Sequence, residues 1–145
     1  MTNFQDHQLE RFLTAHAPAL TAIFLQAYAA AGGHYRLLSP EEQARQAAID
    51  SQEFVADLLR GEVDQQAVRQ TVQTTAQAAA VADILRMVTI QERLFVALLR
   101  AELATQPELA TELERRCRNL MARFRVSLAG AQADAVLRRF GARPD

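Results

Sequence analysis

Three histidines, one cysteine and one awkwardly placed carboxylate are the residues of this sequence with chemistry to offer, and their spacing decides what they can do. His7, His16 and His34 all fall in the first quarter of the chain, and no two stand four apart as the paired ligands of a metal-binding helix do. Each reads as a surface or helix-end residue. Cys117 is the only cysteine, so neither an intrachain disulfide nor a cysteine metal cluster is available to the chain. Its neighbours at helical spacing are apolar, which is the setting of an inert core thiol. No phosphate-cradling glycine loop, nucleophile elbow or zinc signature is present, and Gly32-Gly33 reads as a helix stop. No enzymatic activity, resident cofactor or metal is expected.

The carboxylate is Glu92. In the stretch TIQERLFVALLR, residues 89–100, nearly every position that a helix would turn toward a core is apolar. With Val88 at zero on a wheel of roughly 100° per residue, Val81, Leu85, Phe95 and Leu99 fall within about 60°. Glu92 projects at about 40° on the same wheel, and Gln91 also lies in the apolar arc. The solvent stripe runs opposite, through Arg86, Thr89, Arg93 and Arg100. An ionised carboxylate without a partner in a core is costly or has its pKa pushed up. Three readings of Glu92 are open. It pairs with an arginine of another helix, Arg123 or Arg125; it lies with Gln91 at a dimer interface and fixes the register; or the two line a ligand pocket with Glu92 as polar anchor.

The elements that position these residues are helices. Asn3 can cap a first helix carrying Leu9, Phe12 and Leu13, and Pro18 opens a second that Gly32-Gly33 ends. Ser39-Pro40-Glu41-Glu42 is a capping box with proline at the first helical position, opening a third helix that stops at Gly61. Asp64 caps the next. From there to Leu103 the chain has neither glycine nor proline, and about forty residues as one helix would reach roughly 60 Å. A break is therefore expected near Thr71, Thr74 and Thr75, with Thr74 or Thr75 recapping. The helix carrying Gln91 and Glu92 then covers roughly 78–104, and Pro107 starts a last helix running to about Phe140 with Gly141 as its stop. No stretch alternates with a period of two. The predicted fold is an all-α bundle of six helices in a single domain, 1–145, with the apolar fifth helix at its centre.

Composition agrees. Half the residues are hydrophobic and no lysine occurs. The amino terminus lacks the regions of a signal peptide, and no apolar run approaches the roughly 20 residues of a membrane span, so a soluble, cytoplasmic protein is expected. Net charge is −1, but residues 1–114 hold eight arginines against fifteen acids, whereas 115–145 hold eight against Asp134 and Asp145. A basic end allows a helical nucleic-acid-binding module as the alternative function. The absence of lysine, the few aromatics and the acidic pI weigh against it, and a solvated face paired with the acidic remainder is the simpler reading.

The order of these segments resembles a known family. A helix pair, then GGHYRLLSPEEQ leading into a third helix, then the nearly all-apolar ADILRMVTIQERLFVALL and a long arginine-rich helix are similar to the N-terminal domain of stressosome proteins of the RsbR type, the RsbT co-antagonists. The likeness covers most of the chain, in pattern more than in fixed residues. It implies a globin-like, non-haem bundle that forms a homodimer and is joined by its last helix to a signalling domain such as STAS. It names no stimulus, so a small-molecule ligand stays unidentified. The region where a haem globin carries its proximal histidine holds Met87, Gln91 and Glu92.

Spacing in the last helix fits a linker. Leu113, Cys117, Leu120, Phe124, Leu128, Ala131 and Ala135 form a heptad-like seam. Core packing accounts for it as far as Phe124. Past Gly130 a partner helix is the expected neighbour, so Leu120, Phe124, Leu128 and Ala131 are the candidate dimer and linker seam, with about 130–145 starting the linker. The chain closing on GARPD is expected to be either part of a longer protein or a short relative standing alone.

Overall fold

Helices begin and end at the residues that favour it. The structure is a computed structural model describing residues 3–75 and 78–141, with side chains described for 5–70, 81–134, 136–138 and 140–141. Helix α1 spans Asn3–Ala15 and α2 spans Ala17–Ala31. The capping expected of the Asn3 side chain lies outside the described residues. Pro18 sits in the first turn of α2, where its missing N–H costs nothing. Gly32, at φ 65°, ends the helix by donating to Tyr28 O at 3.0 Å. Helix α3, Pro40–Arg60, starts on the capping box: Ser39 Oγ accepts from the Glu42 N–H at 3.1 Å and Glu42 Oε1 from the Ser39 N–H at 3.2 Å. Asp64 Oδ1 accepts from the N–H groups of Gln66 and Ala67 at 3.0 and 3.2 Å and so caps α4, Gln65–Thr75.

Helix α5 is Ala78–Glu102 and α6 is Pro107–Arg139. The described part of the long glycine-free stretch is thus α4, to Thr75, and α5, from Ala78. The side chains of Thr71, Thr74 and Thr75, expected to make the break, lie outside the described residues. Among the described residues there is no strand, and the fold is all-α. No helix of the described residues is long and apolar enough to cross a membrane.

Helix α5 packs against α2 on one side and α6 on the other, while α3 covers α2 and α4 lies along α6. Aromatic rings tie the layers together. Phe54 of α3 meets Phe24 of α2 edge-on at 6.0 Å and Phe95 of α5 at 4.9 Å. Leu9, Leu13, Ala27, Phe95, Leu113, Cys117 and Leu128 are wholly shielded from solvent, and each fully buried large side chain among them stabilises the fold by roughly 1.5–3 kcal/mol.

One connection was not anticipated. Gly33–Leu37 form a 3-10 turn between α2 and α3, and its first turn is capped from α5. Asp83, buried, accepts the His34 N–H at 2.7 Å and is paired with Arg86. Gly33, at φ 57°, is required there twice over. Its backbone is left-handed, and a Cβ would stand 2.3 Å from the Asp83 carboxylate.

Five arginines of α6, from Arg115 to Arg125, are committed to the chain itself. Arg115 and Arg118 pair with Glu112 and Glu114, Arg123 donates to Gly61 O at 2.8 Å, and Arg125 reaches Glu92 Oε2 at 3.0 Å. Arg116 is buried and joins three helices. It donates to Glu112 at 3.0 Å on α6, to Leu58 O at 3.1 Å on α3 and to Asp6 at 3.3 Å on α1. The seam expected to meet a partner helix is turned inward instead. Leu120 and Leu128 are buried in the protomer's core, and Phe124 and Ala131 are half-buried against it. The α4 helix supplies cover, with Gln65 Nε2 donating to Ser127 Oγ at 2.9 Å beside Leu128. Ala135 lies outside the described side chains. The apolar stripe of α6 that does meet solvent is on the opposite side, Val126, Ala129, Ala133 and Val136, continued by Phe140 just past the helix.

Candidate functional site

A cavity of about 370 Å³ opens between α2, α3, α5 and α6. Its inner wall is apolar and buried. Phe24 comes from α2, Phe54 from α3, Ile84, Met87 and Val88 from α5, and Leu120 and Met121 from α6, with Phe124 half-buried beside them. The i, i+3, i+4 spacing of Ile84, Met87 and Val88 is what brings three side chains of α5 to one wall. One polar group stands among them. Gln91, 2% exposed, continues that stripe by one more turn, and its Nε2 has no hydrogen-bond partner among the described residues. A donor buried unpaired costs about 1–3 kcal/mol, and this one belongs to a residue of the cavity lining.

The rim has the opposite character. Asp50, Glu53 and Asp57 lie at i, i+3 and i+7 of α3, so they follow one edge of the helix over about 10 Å. Asp50 accepts the Tyr28 hydroxyl and, at 2.9 Å, Gln46 Nε2. Burial raises its carboxyl pKa in spite of those two donors. Glu53 is raised first by burial and then by the charges of Asp50, Asp57 and Asp64. Burial lifts Asp57 to about 6, against the opposing pull of Arg60. No arginine lines the cavity, and among the described residues neither Asp50 nor Glu53 is ion-paired. His34 and Tyr35 of the 3-10 turn close the remaining side, Tyr35 stacked on Tyr28 at 4.6 Å.

The residues singled out by sequence divide. Gln91 faces the cavity; Glu92, one residue on and 100° around the helix, does not line it. Glu92 is half-buried against α6, where Arg125 also reaches Thr89 Oγ1 at 3.3 Å. Leu120 and Phe124 of the expected seam line the cavity, whereas Leu128 and Ala131 pack below it. His7 is exposed, and His16 bonds Phe12 O at 2.9 Å and stands 3.6 Å from Glu102. The Cys117 thiol is pushed up to about 12 by burial and the neighbouring Glu92 charge, which leaves no nucleophilic thiolate near neutral pH. Among the described residues no three histidine, cysteine, aspartate or glutamate side chains are placed to hold a metal ion.

Sequence reasoning missed the α3 acids, whose helical spacing is the same as that of a solvated face. The available signal was their company. Asp50, Glu53 and Asp57 form one acidic stripe beside Phe54 with no basic residue inside it. Compared with known proteins, the chain matches no family model, no curated protein and no solved structure.

Proposed function

We propose that this chain is a non-enzymatic regulatory domain that takes a small, largely apolar molecule into the α2/α3/α5/α6 cavity and passes its occupancy to an attached output domain, such as STAS, through α6. One observation carries the reading: the wall of the cavity is shared with the helix that leaves the body. Leu120, Met121 and Phe124 line the space, and from Ala133 on every described residue of α6 is exposed. A ligand that fills the cavity must press on α6, and it can shift an equilibrium between helix positions only by its differential affinity for them. Cavities of this size with an apolar wall and few polar groups are the usual form of small-molecule sites.

In this reading the domain is a homodimer, as its resemblance to the stressosome sensors implies, and the exposed face of α6 is where the copies meet. Val126, Ala129, Ala133, Val136 and Phe140 follow the three-four spacing of a coiled-coil seam on the solvent side. The internal partners of Arg115, Arg118, Arg123 and Arg125 weigh against the nucleic-acid alternative.

The test is an uncharged naphthalene dye whose fluorescence rises in apolar surroundings, followed together with amide exchange along α6. Saturable binding that slows or speeds exchange in α6 supports the reading, and Val88→Trp, which fills the cavity from α5, should abolish the binding while preserving the helical content. A dye that binds equally well to V88W, or leaves α6 exchange unchanged, overturns it.

A further inference from the structure

We propose that the ligand of this cavity is an amphipathic amine, with its protonated nitrogen against Asp50, Glu53 and Asp57, its apolar body along Phe54, Met87 and Met121, and an acceptor oxygen facing Gln91. The inference rests on the cavity being a ligand site and assigns the chemistry that site would select.

Charge comes first. Three carboxylates edge the opening within about 10 Å of helix, and no arginine lines the cavity with them, His34 being the one basic side chain of the lining. Of these three, only Asp57 has an ionic partner among the described residues, Arg60, whose own side chain is half-exposed and lies outside the lining. Like charges so placed repel, and partial burial adds to the cost of ionising them. Each of the three is accordingly held above its ordinary range, with burial the leading cause. A cation seated at the rim removes both costs. An anion adds a fourth like charge, and a neutral molecule leaves the repulsion where it was. The acids are strung along an edge rather than folded around a point, and they form no metal-binding group. An alkylammonium, which carries three donors in a compact charge, can serve such a stripe.

Shape and the second polar point complete the class. At about 30 Å³ per water-sized unit of liquid, 370 Å³ accommodates roughly a dozen non-hydrogen atoms. Most must be apolar, because the buried walls are Phe24, Phe54, Ile84, Met87, Val88 and Met121. Gln91 Nε2 is a donor without a partner among the described residues, 2% exposed, on that same wall. A carbonyl or ether oxygen in the apolar body satisfies it, whereas a pure hydrocarbon leaves it unpaired. The site therefore discriminates at two points: a positive head outside and an acceptor inside.

A matched series separates the class from the site. 4-Phenoxybutylamine, 4-phenoxybutanol and 4-phenoxybutyrate share the ring, the ether oxygen and the chain length, and differ in the charge of the end group. Each is titrated calorimetrically into the full chain and in competition with the apolar dye. The amine should bind about tenfold or more tighter than the alcohol, a difference of about 1.4 kcal/mol, and the carboxylate should bind weakest. All three should displace the dye. In the variant carrying both Glu53→Gln and Asp57→Asn, substitutions at the partly exposed rim that spare the Tyr28–Asp50 bond, the amine should fall toward the alcohol while the alcohol keeps its affinity. Equal affinities, a tighter alcohol or carboxylate, or an unaltered amine in the double variant would overturn the amine class. In each of those cases dye displacement leaves the cavity standing as a ligand site. Dye binding with no displacement by any of the three also overturns the class. Failure of the dye itself to bind takes down the cavity reading and this inference together.

Discussion

Gln91→Leu should make the unliganded protein more stable and a poorer receptor. Gln91 is 2% exposed and its Nε2 is unpaired among the described residues, so the wild-type fold carries the desolvation of a donor, about 1–3 kcal/mol, with nothing in return. Leucine has similar reach, no polar group, and neighbours in Val88, Met87 and Leu120 that welcome it. Taking about 2 kcal/mol as the gain, and about 2.1 cal/mol/K per residue for the entropy of unfolding, a chain of 145 residues melts about 7 °C higher. Thermal unfolding followed by circular dichroism measures it directly. The same substitution should shrink the rise in Tm produced by saturating 4-phenoxybutylamine, because the ether oxygen loses its donor. Stabilisation bought with function is the signature of a residue kept for binding. A fall in Tm of several degrees would refute the reasoning, since it would mean that the amide has a partner it needs and that the cavity holds no unmet donor.

Two further outcomes are expected. Leu128, with no solvent exposure, belongs to the protomer's core, so Leu128→Ala should cost about 2–5 kcal/mol in urea unfolding, with the loss independent of protein concentration; a loss that appears only on dilution, as dimers part, would return Leu128 to an interface between copies. Asp57, raised by burial from 3.8 to about 6 despite Arg60, is held in its protonated form more firmly in the fold than in the unfolded chain. Its contribution is full below pH 4 and is lost as pH climbs through 6. Asp57→Asn should therefore melt close to wild type at pH 4 and above it at pH 7, with Arg60, Glu62 and Asp64 as the charges that modulate the gap; a Tm difference constant from pH 4 to 8 would contradict the assignment.

How much of this was legible in the sequence depended on the range of the signal. Ser39-Pro40-Glu41-Glu42, Gly61 and Asp64 act on backbone groups within three or four residues, and each does what its local chemistry requires. A pair between Glu92 and Arg123 or Arg125 was one of three readings that the sequence left open. Arg125 is the partner, and Arg123 donates to the carbonyl of Gly61 instead. Asp83 was invisible because its partner, the N–H of His34, lies 49 residues away. The acids of α3 were hidden for another reason: an exposed carboxylate stripe and a cavity rim have the same helical periodicity. The outer face of α6 was passed over because Ala129 and Ala133 carry little hydropathy, whereas the inner stripe of Leu120, Phe124 and Leu128 carries much and went to the core.

Arg116 has a mechanical consequence. Its guanidinium bonds to α1, to α3 and within α6, and so makes a fulcrum at one point of a helix of 33 residues. Phe124, against the cavity, lies about 12 Å along the axis from that point, and Phe140 about 36 Å. A stiff helix pivoting there is a lever with a gain of about three, so that a sideways push of about 1 Å at Phe124 becomes about 3 Å at Phe140. In the function proposed here, a molecule of a dozen atoms would need only to lean on the short arm to be felt at Phe140, with the bundle itself unchanged.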